Sequence, residues 1–456
     1  MYLHCRLALI FIAIAAMAGC AGSMVDSGLS ESPPLPGGYT PFQRDSTGRS
    51  EAIRPVEALT LEEALSRAMI HNPALKAYSW NVRAADARRN QVSLWSNPEL
   101  EVEFDEIGGR GELSGFDGAE MKFLLSHQVE LGGKRGRRIE AASMGRKAAV
   151  EDYRRNRLLV HSEVVKRFTG VLAAQEYVQL TGELLDVAEE MAGSVAGRVE
   201  AGKDAELEKI RAGVFLSNMK IRQKSAERKL QLARKRLAAM WAQADGLFDT
   251  AKGELGDLAA VPAMEELVPL IDRNPRFVIA EVEYDRRRAM LNLEKAQSIP
   301  DITLSGGMKR FRETDMDLWV LGISVPIPLF NRNQGSRAEA VSELERAREE
   351  LEAVRSRVRL ELEEAWSALL GSYQEAVELR ENVLAGADKV YLASVNSYRR
   401  GKTDYLHVLD AQRTMFEVRK RYIDILKEYH AARADLKSIT GWPSEGFQTP
   451  GEGEMK

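Results

Sequence analysis

Residues 99–105 alternate strictly: Leu100, Val102 and Phe104 point one way, and Glu99, Glu101, Glu103 and Asp105 the other. Residues 119–131 repeat the pattern. Ala119, Met121, Phe123, Leu125, Val129 and Leu131 share one side, and Glu120, Lys122, Ser126, Gln128 and Glu130 the other. In the second half, Ile302, Leu304 and Met308 alternate with Thr303, Ser305 and Lys309, whereas 318–325 is apolar on both sides. A period of two means a strand with one apolar and one polar face. The pattern predicts four strands, at about 98–106, 119–131, 300–310 and 318–328, each about long enough to cross a bilayer when tilted.

After each strand pair the period changes. Ala340, Leu344, Ala347, Leu351, Val354, Val358, Leu362, Ala365 and Leu369 recur at spacings of three and four, an apolar stripe along a helix. None of the 15 prolines lies between Pro98 and Pro262, or between Pro328 and Pro443. Proline inside a helix costs roughly 3 kcal/mol, so the proline-free tracts predict very long helices. They are expected over 134–200 and 333–399, each about 100 Å long at 1.5 Å per residue. Shorter helices are expected at about 73–95, 204–243, 275–298 and 404–440, lining the long ones in a coiled-coil-like array.

The two halves carry the same signals in the same order, which predicts a duplicated helix–strand–strand–helix–helix unit. Asn72-Pro73 and Asn274-Pro275 open a helix in each half, Asn as N-cap and Pro as first helical residue. Thr60-Leu61-Glu62-Glu63 reads as a capping box. The long helices end at Ala201-Gly202-Lys203 and Arg400-Gly401-Lys402, and Leu207, Ile210 and Ala212 then match Leu406, Leu409 and Ala411. The first repeat is placed at 60–260, the second at 261–441, and a tail at 442–456.

The N-terminus reads as an export signal. Leu7–Gly19 is almost wholly apolar but too short to span a bilayer about 30 Å thick. The segment ends Met17-Ala18-Gly19-Cys20, which resembles a bacterial lipoprotein cleavage site. Residues 1–19 are therefore assigned to a signal peptide and 20–59 to an extended leader anchored through lipid on Cys20. Export with only two cysteines, Cys5 and Cys20, excludes a disulfide scaffold. Lys plus Arg is 64 and Asp plus Glu is 68, which gives no electrostatic case for nucleic acid. Four strands cannot close a barrel, and open edges are not tolerated in lipid, so spanning strands require several copies to share one barrel. Two copies would supply eight strands and three copies twelve.

The local motifs carry a resemblance. Tyr405-Leu406-His407-Val408-Leu409-Asp410-Ala411-Gln412, after Arg400-Gly401-Lys402, resembles the periplasmic tip of the TolC-like outer membrane factors, or outer membrane efflux proteins. Val129-Glu130-Leu131-Gly132-Gly133-Lys134-Arg135 and Pro326-Ile327-Pro328-Leu329-Phe330-Asn331-Arg332-Asn333-Gln334-Gly335 resemble its heavy-metal efflux branch, typified by CzcC and CusC. The resemblance covers residues 60–441. It implies a mainly α protein with a small β membrane part: a trimeric 12-stranded β-barrel continued by a long α-helical periplasmic tunnel. It further implies a passive conduit that sits in the outer membrane of a Gram-negative bacterium and docks a periplasmic adaptor and an inner-membrane RND-type pump. On that plan Gly202, Lys203, Gly401 and Lys402 form the adaptor-docking tip turns. Glu99, Glu101, Glu103 and Asp105 line the barrel lumen. His407 and Asp410, three residues apart on one helix face, form gate rings at the periplasmic entrance. Asp410 keeps the family's acidic pattern and His407 departs from it. A ring of three histidines would add a charge that responds to pH near neutrality. The competing reading packs His407 on a neighbouring helix, away from the lumen.

Enzyme chemistry finds no support in the residues. The six histidines are scattered, with no His-Glu-x-x-His, and Gly132-Gly133-Lys134-Arg135 lacks the remainder of a phosphate loop. No catalytic, cofactor or metal site is expected. Two alternatives stay open: a drug-efflux or type I secretion channel of the same fold, and a lipid-anchored periplasmic coiled-coil scaffold without a pore.

Overall fold

The computed structural model describes residues 56–108, 118–243 and 248–441. The signal segment, Cys20 and the tail at 442–456 lie outside them. The chain runs β1 (Val56–Thr60), α1 (Leu61–His71), α2 (Pro73–Val92), β2 (Glu99–Asp105), β3 (Glu120–Val129), α3 (Lys134–Glu200) and α4 (Glu206–Ala238). It continues through β4 (Phe248–Lys252), α5 (Met264–Leu267), α6 (Pro275–Gln297), β5 (Ile302–Phe311) and β6 (Met316–Ser324). Helix α7 (Gln334–Glu378), a π turn (Leu379–Val383), α8 (Leu384–Arg399) and α9 (Tyr405–Thr440) complete it. The helix–strand–strand–helix–helix order is present in each half.

The two Asn-Pro starts show how the duplication is built. Asn72 caps α2 by accepting from the amides of Ala74 and Leu75, and Asn274 caps α6 by accepting from that of Arg276. Each carboxamide also donates across its half. Asn72 Nδ2 reaches the Met240 carbonyl at 2.8 Å, and Asn274 Nδ2 reaches that of Ile439 at 2.7 Å. One residue type thus starts a helix and ties it to the end of the last helix of its own repeat. The Thr60–Glu63 capping box is formed in both directions.

Helix α3 runs unbroken over the expected 67 residues. All nine residues of the predicted stripe from Ala340 to Leu369 are buried or half-buried. Val358, Leu362 and Leu369 join Tyr429, Ala432 and Leu436 of α9 in one apolar cluster. The expected continuous helix to 399 is interrupted by the π turn. A π turn takes in one extra residue, so the helix face advances by about 100° beyond it. Beyond it α8 buries Ala387, Val395 and Tyr398.

Strand β6 is shorter than expected, ending at Ser324 rather than near 328. Pro326 and Pro328 have no N–H to donate to a ladder, and the chain leaves the sheet there. A further departure is the parallel pair β1–β4, which joins the end of the expected leader to the last part of the first repeat. Strands β2–β3–β5–β6 form one antiparallel sheet in that order, so β2 and β6 are its edges. No helix among the described residues is long and apolar enough to cross a membrane.

Candidate functional site

The register sorts the sheet into two faces. Glu101, Leu124, Gly307 and Val320 lie opposite one another, as do Glu103, Lys122, Lys309 and Leu318. Glu99, Glu101, Glu103 and Asp105 therefore share a face with Lys122 and Lys309. Lys122 Nζ lies 2.8 Å from Glu103 Oε2, and Lys309 pairs with Glu120. Glu99 and Glu101 stand exposed beyond these pairs. The other face carries Leu100, Leu125 and Leu321 in one row and Val102, Phe123, Met308 and Trp319 in the next. It is exposed in the protomer: Trp319 is 76% exposed, Leu321 88% and Ile323 75%. A continuous apolar face of that kind needs lipid or protein against it.

The two strand-to-helix junctions are built alike. Gly133 and Asn333 cap α3 and α7 in the left-handed conformation, at φ +70° and +59°. In the first junction Lys134 is buried and places Nζ 2.6 Å from Asp301 Oδ1. The Leu131 amide and the Gln128 carboxamide donate to the same carboxylate. Burial alone would raise the Asp301 pKa, and the lysine and these donors outweigh it and hold it low. Arg138 grips Glu130 with two bonds, at 2.7 and 2.9 Å. In the second junction Asn333 Nδ2 donates to the backbone and side chain of Glu294. The glycine-lysine motif of the sequence is thus a clamp that fixes the foot of β5 to the head of α3.

At the far end of the long helices, Gly202 and Gly401 take φ +67° and +70°. Gly202 N donates to Val199 O and Lys203 N to Arg198 O; Gly401 N donates to Tyr398 O and Lys402 N to Ser397 O. Both ends are Schellman turns, which satisfy the last carbonyls of each helix and favour glycine for its positive φ. Lys203 and Lys402 are exposed there. Behind the turns, Met191, Val195, Ala212, Val395, Tyr398, Tyr405, Val408 and Leu409 form one core. Above it runs a polar link that no local sequence motif marks. Arg198 donates to both oxygens of Asp204 at 2.9 and 3.1 Å, and the Tyr398 hydroxyl donates to Asp204 at 2.6 Å. The arginine holds the Asp204 carboxyl below its usual range, and burial together with Asp204 raises the Tyr398 phenol. Asp204 follows the first tip turn and Tyr398 precedes the second, so one carboxylate joins the two hairpins. His407 and Asp410 lie exposed on the first turns of α9, away from the buried Tyr405, Val408 and Leu409. Among the described residues, no group of histidine, cysteine and acidic side chains is placed to hold a metal ion.

The arrangement combines an open-edged sheet, apolar on one side, with a long helical body that ends in a tied double hairpin. Residues 64–243 and 268–442 match the family model described as outer membrane efflux protein. The chain is 33% identical over 402 residues to the cobalt-zinc-cadmium resistance protein CzcC of Cupriavidus metallidurans, covering 88% of this chain and 94% of that one. It is 27% identical to the nickel-cobalt-cadmium resistance protein NccC of Alcaligenes xylosoxydans xylosoxydans, covering 67% of this chain and 69% of that one. Its fold superposes on crystal structures of the transmembrane channel protein CusC with a TM-score of 0.73 at 18% identity, covering 88% of this chain and 98% of that one. Members of the family are passive trimeric channels of the Gram-negative outer membrane with a periplasmic helical tunnel, working beside an adaptor and an RND pump. The chain belongs to the outer membrane efflux protein family and is a channel, not an enzyme.

Proposed function

We propose that three copies of this chain close one 12-stranded barrel, with the glutamate face inward, and export heavy-metal cations supplied by an adaptor and an RND-type pump. The observation that carries this reading is the sheet itself, with four strands, two open edges and one exposed apolar face. Backbone groups at an open edge find no partners in hydrocarbon, so β6 of one copy takes β2 of the next. On the polar face, Glu99, Glu101, Glu103, Asp105 and Glu120 outnumber Lys122 and Lys309, which leaves an acidic lumen. Such a lumen concentrates cations and needs no binding site that would slow their release. The resistance proteins CzcC and NccC are named for cobalt, zinc, cadmium and nickel, which supports a divalent cation as cargo. Cells lacking such a channel, supplied with this chain, its adaptor and its pump, are expected to regain tolerance to cobalt, zinc and cadmium. Tolerance regained for organic drugs alone contradicts the cargo assignment.

The lipid anchor on Cys20 belongs to the same reading. Cys20→Ala is expected to lose all incorporation of labelled palmitate while the barrel still inserts. Label retained by the variant overturns the anchor.

The exposed face of α9 carries the gate. Three copies place Asp410 and His407 in rings one turn apart at the entrance, with Gly202, Lys203, Gly401 and Lys402 at the rim where the adaptor docks. Asp410→Ala removes the acidic ring and is expected to raise the resting conductance. The same conductance in variant and parent removes Asp410 from the gate.

A further inference from the structure

On the glutamate face of the sheet, β2 carries a carboxylate at every second position: Glu99, Glu101, Glu103 and Asp105. Successive members stand about 6.8 Å apart, at about 3.4 Å per residue. That is less than the Debye length of about 8 Å at physiological salt, so the four act as one stripe of charge. The register gives each a different neighbour on β3. Glu99 faces Ser126, Glu101 faces Leu124, Glu103 faces Lys122 and Asp105 faces Glu120. Glu103 alone meets a cation, with Lys122 Nζ 2.8 Å away.

The other lysine of this face is engaged elsewhere. Lys309 stands opposite Lys122 in the β3–β5 ladder, where like charges repel. It pairs instead with Glu120 and lies 4.7 Å from the centre of the Phe311 ring. The Glu120 side chain is only 15% exposed, so that pair closes on itself. On β6 the same face shows Met316, Leu318, Val320 and Gly322, none of them charged. In the shared barrel, β6 of one copy lies beside β2 of the next. Among the described residues, Lys122 is therefore the one cation paired with the stripe. Its side chain is 27% exposed and that of Glu103 42%, so water and mobile ions reach the pair.

A conducting pore must attract its ions without retaining them. Four bare carboxylates in file would retain a divalent cation between neighbours. We propose that Lys122 sets the cation selectivity of the channel: it is a tethered cation that occupies the middle of the β2 stripe and keeps the file from trapping its cargo. This rests on the reading above that the glutamate face lines the lumen, and names the residue that limits the charge of that face. Strand β2 starts from the helical body at Glu99, so cations from the tunnel meet Glu99 and Glu101 first, then the neutral pair, then Asp105.

The test is single-channel recording of the full-length trimer in a planar bilayer under a gradient of potassium chloride. Lys122→Gln frees Glu103 and is expected to raise the potassium-to-chloride permeability ratio about twofold or more. Glu103→Gln frees the lysine and is expected to lower the ratio by a similar factor. Lys122→Arg keeps the charge and is expected to keep the ratio. Cadmium chloride is expected to block Lys122→Gln at a concentration several-fold below that needed for the parent. All these differences fade at about 1 M salt, where the Debye length is about 3 Å. Damage to the sheet would move Lys122→Gln and Glu103→Gln the same way, so shifts of the same sign overturn the role of Lys122. An unchanged ratio in either variant also overturns it, so the result holds even where only one of the two assembles. The double variant Glu99→Gln with Glu101→Gln tests the underlying reading separately. An unchanged ratio there removes the glutamate face from the lumen, and Lys122 with it. A lowered ratio there, with Lys122→Gln at the parental value, overturns the lysine alone.

Discussion

Gly307→Ala is expected to abolish outer-membrane assembly of the channel, whereas Gly306→Ala, one residue away, is expected to leave it intact. Gly307 sits opposite Leu124 in the β3–β5 ladder. A Cβ there would overlap the Phe123 carbonyl oxygen and fall 2.9 Å from Leu124 Cα. Both obstacles are backbone and cannot rotate away, so the two central strands must part. Parting leaves ladder groups unpaired where the surroundings are lipid, at several kcal/mol for each group. A folded domain holds only about 5–15 kcal/mol of stability in all, so two or three such groups suffice to lose the fold. At Gly306 the nearest atom to an added Cβ is Leu321 Cδ2 at 3.5 Å, an ordinary contact. Heat-modifiable trimers extracted from outer membrane read the outcome. Trimers from Gly307→Ala in parental amount refute the sheet register.

Asp204→Ala is expected to raise the resting conductance several-fold and leave the trimer intact. The change removes the only carboxylate in the link between Arg198, Asp204 and Tyr398. A hydrogen bond to a charged group contributes about 1.5–3 kcal/mol, and less where water screens it. Asp204→Asn keeps an acceptor for the Tyr398 hydroxyl and loses the charge that holds Arg198, so an intermediate conductance is expected. The pH dependence follows from the lowered pKa of Asp204. A carboxylate whose folded pKa lies below its unfolded value of about 4 contributes fully above that value and loses its contribution as pH falls through the folded pKa. The link is therefore constant between about pH 5 and 8 and fails only in stronger acid. Parental conductance in Asp204→Ala at neutral pH removes the link from control of the tip.

Local signals were the legible ones. As helix caps, Asn72, Asn274 and the Thr60–Glu63 box act within three residues of themselves, and α3 ends where Gly202 stops it. The alternation at 99–105 and 119–131 gave the strand faces because a period of two needs no partner to be seen. Pairings across the chain were not legible. Asp204 and Tyr398 are 194 residues apart, and nothing near either marks the other. Asp301 stands 167 residues from Lys134, so the Gly-Gly-Lys motif was visible and its carboxylate partner was not. The β1–β4 pair is short, parallel and distant in sequence, and Val56–Thr60 shows no clean alternation. The π turn leaves the spacings of three and four almost unchanged, so Leu379–Val383 reads as ordinary helix. At 325–328 an apolar run outlasted the strand because the prolines end the ladder without ending the hydrophobicity.

In the proposed trimer, the four strands of this chain are one third of a closed pore. Single-channel recording of the purified full-length protein in a planar lipid bilayer tests it most directly. Discrete conductance steps are expected, with cations favoured at low salt and the preference weakening as salt screens the glutamates. Folded trimers that insert and give no steps, or steps that pass anions and cations equally at low salt, contradict the acidic shared barrel.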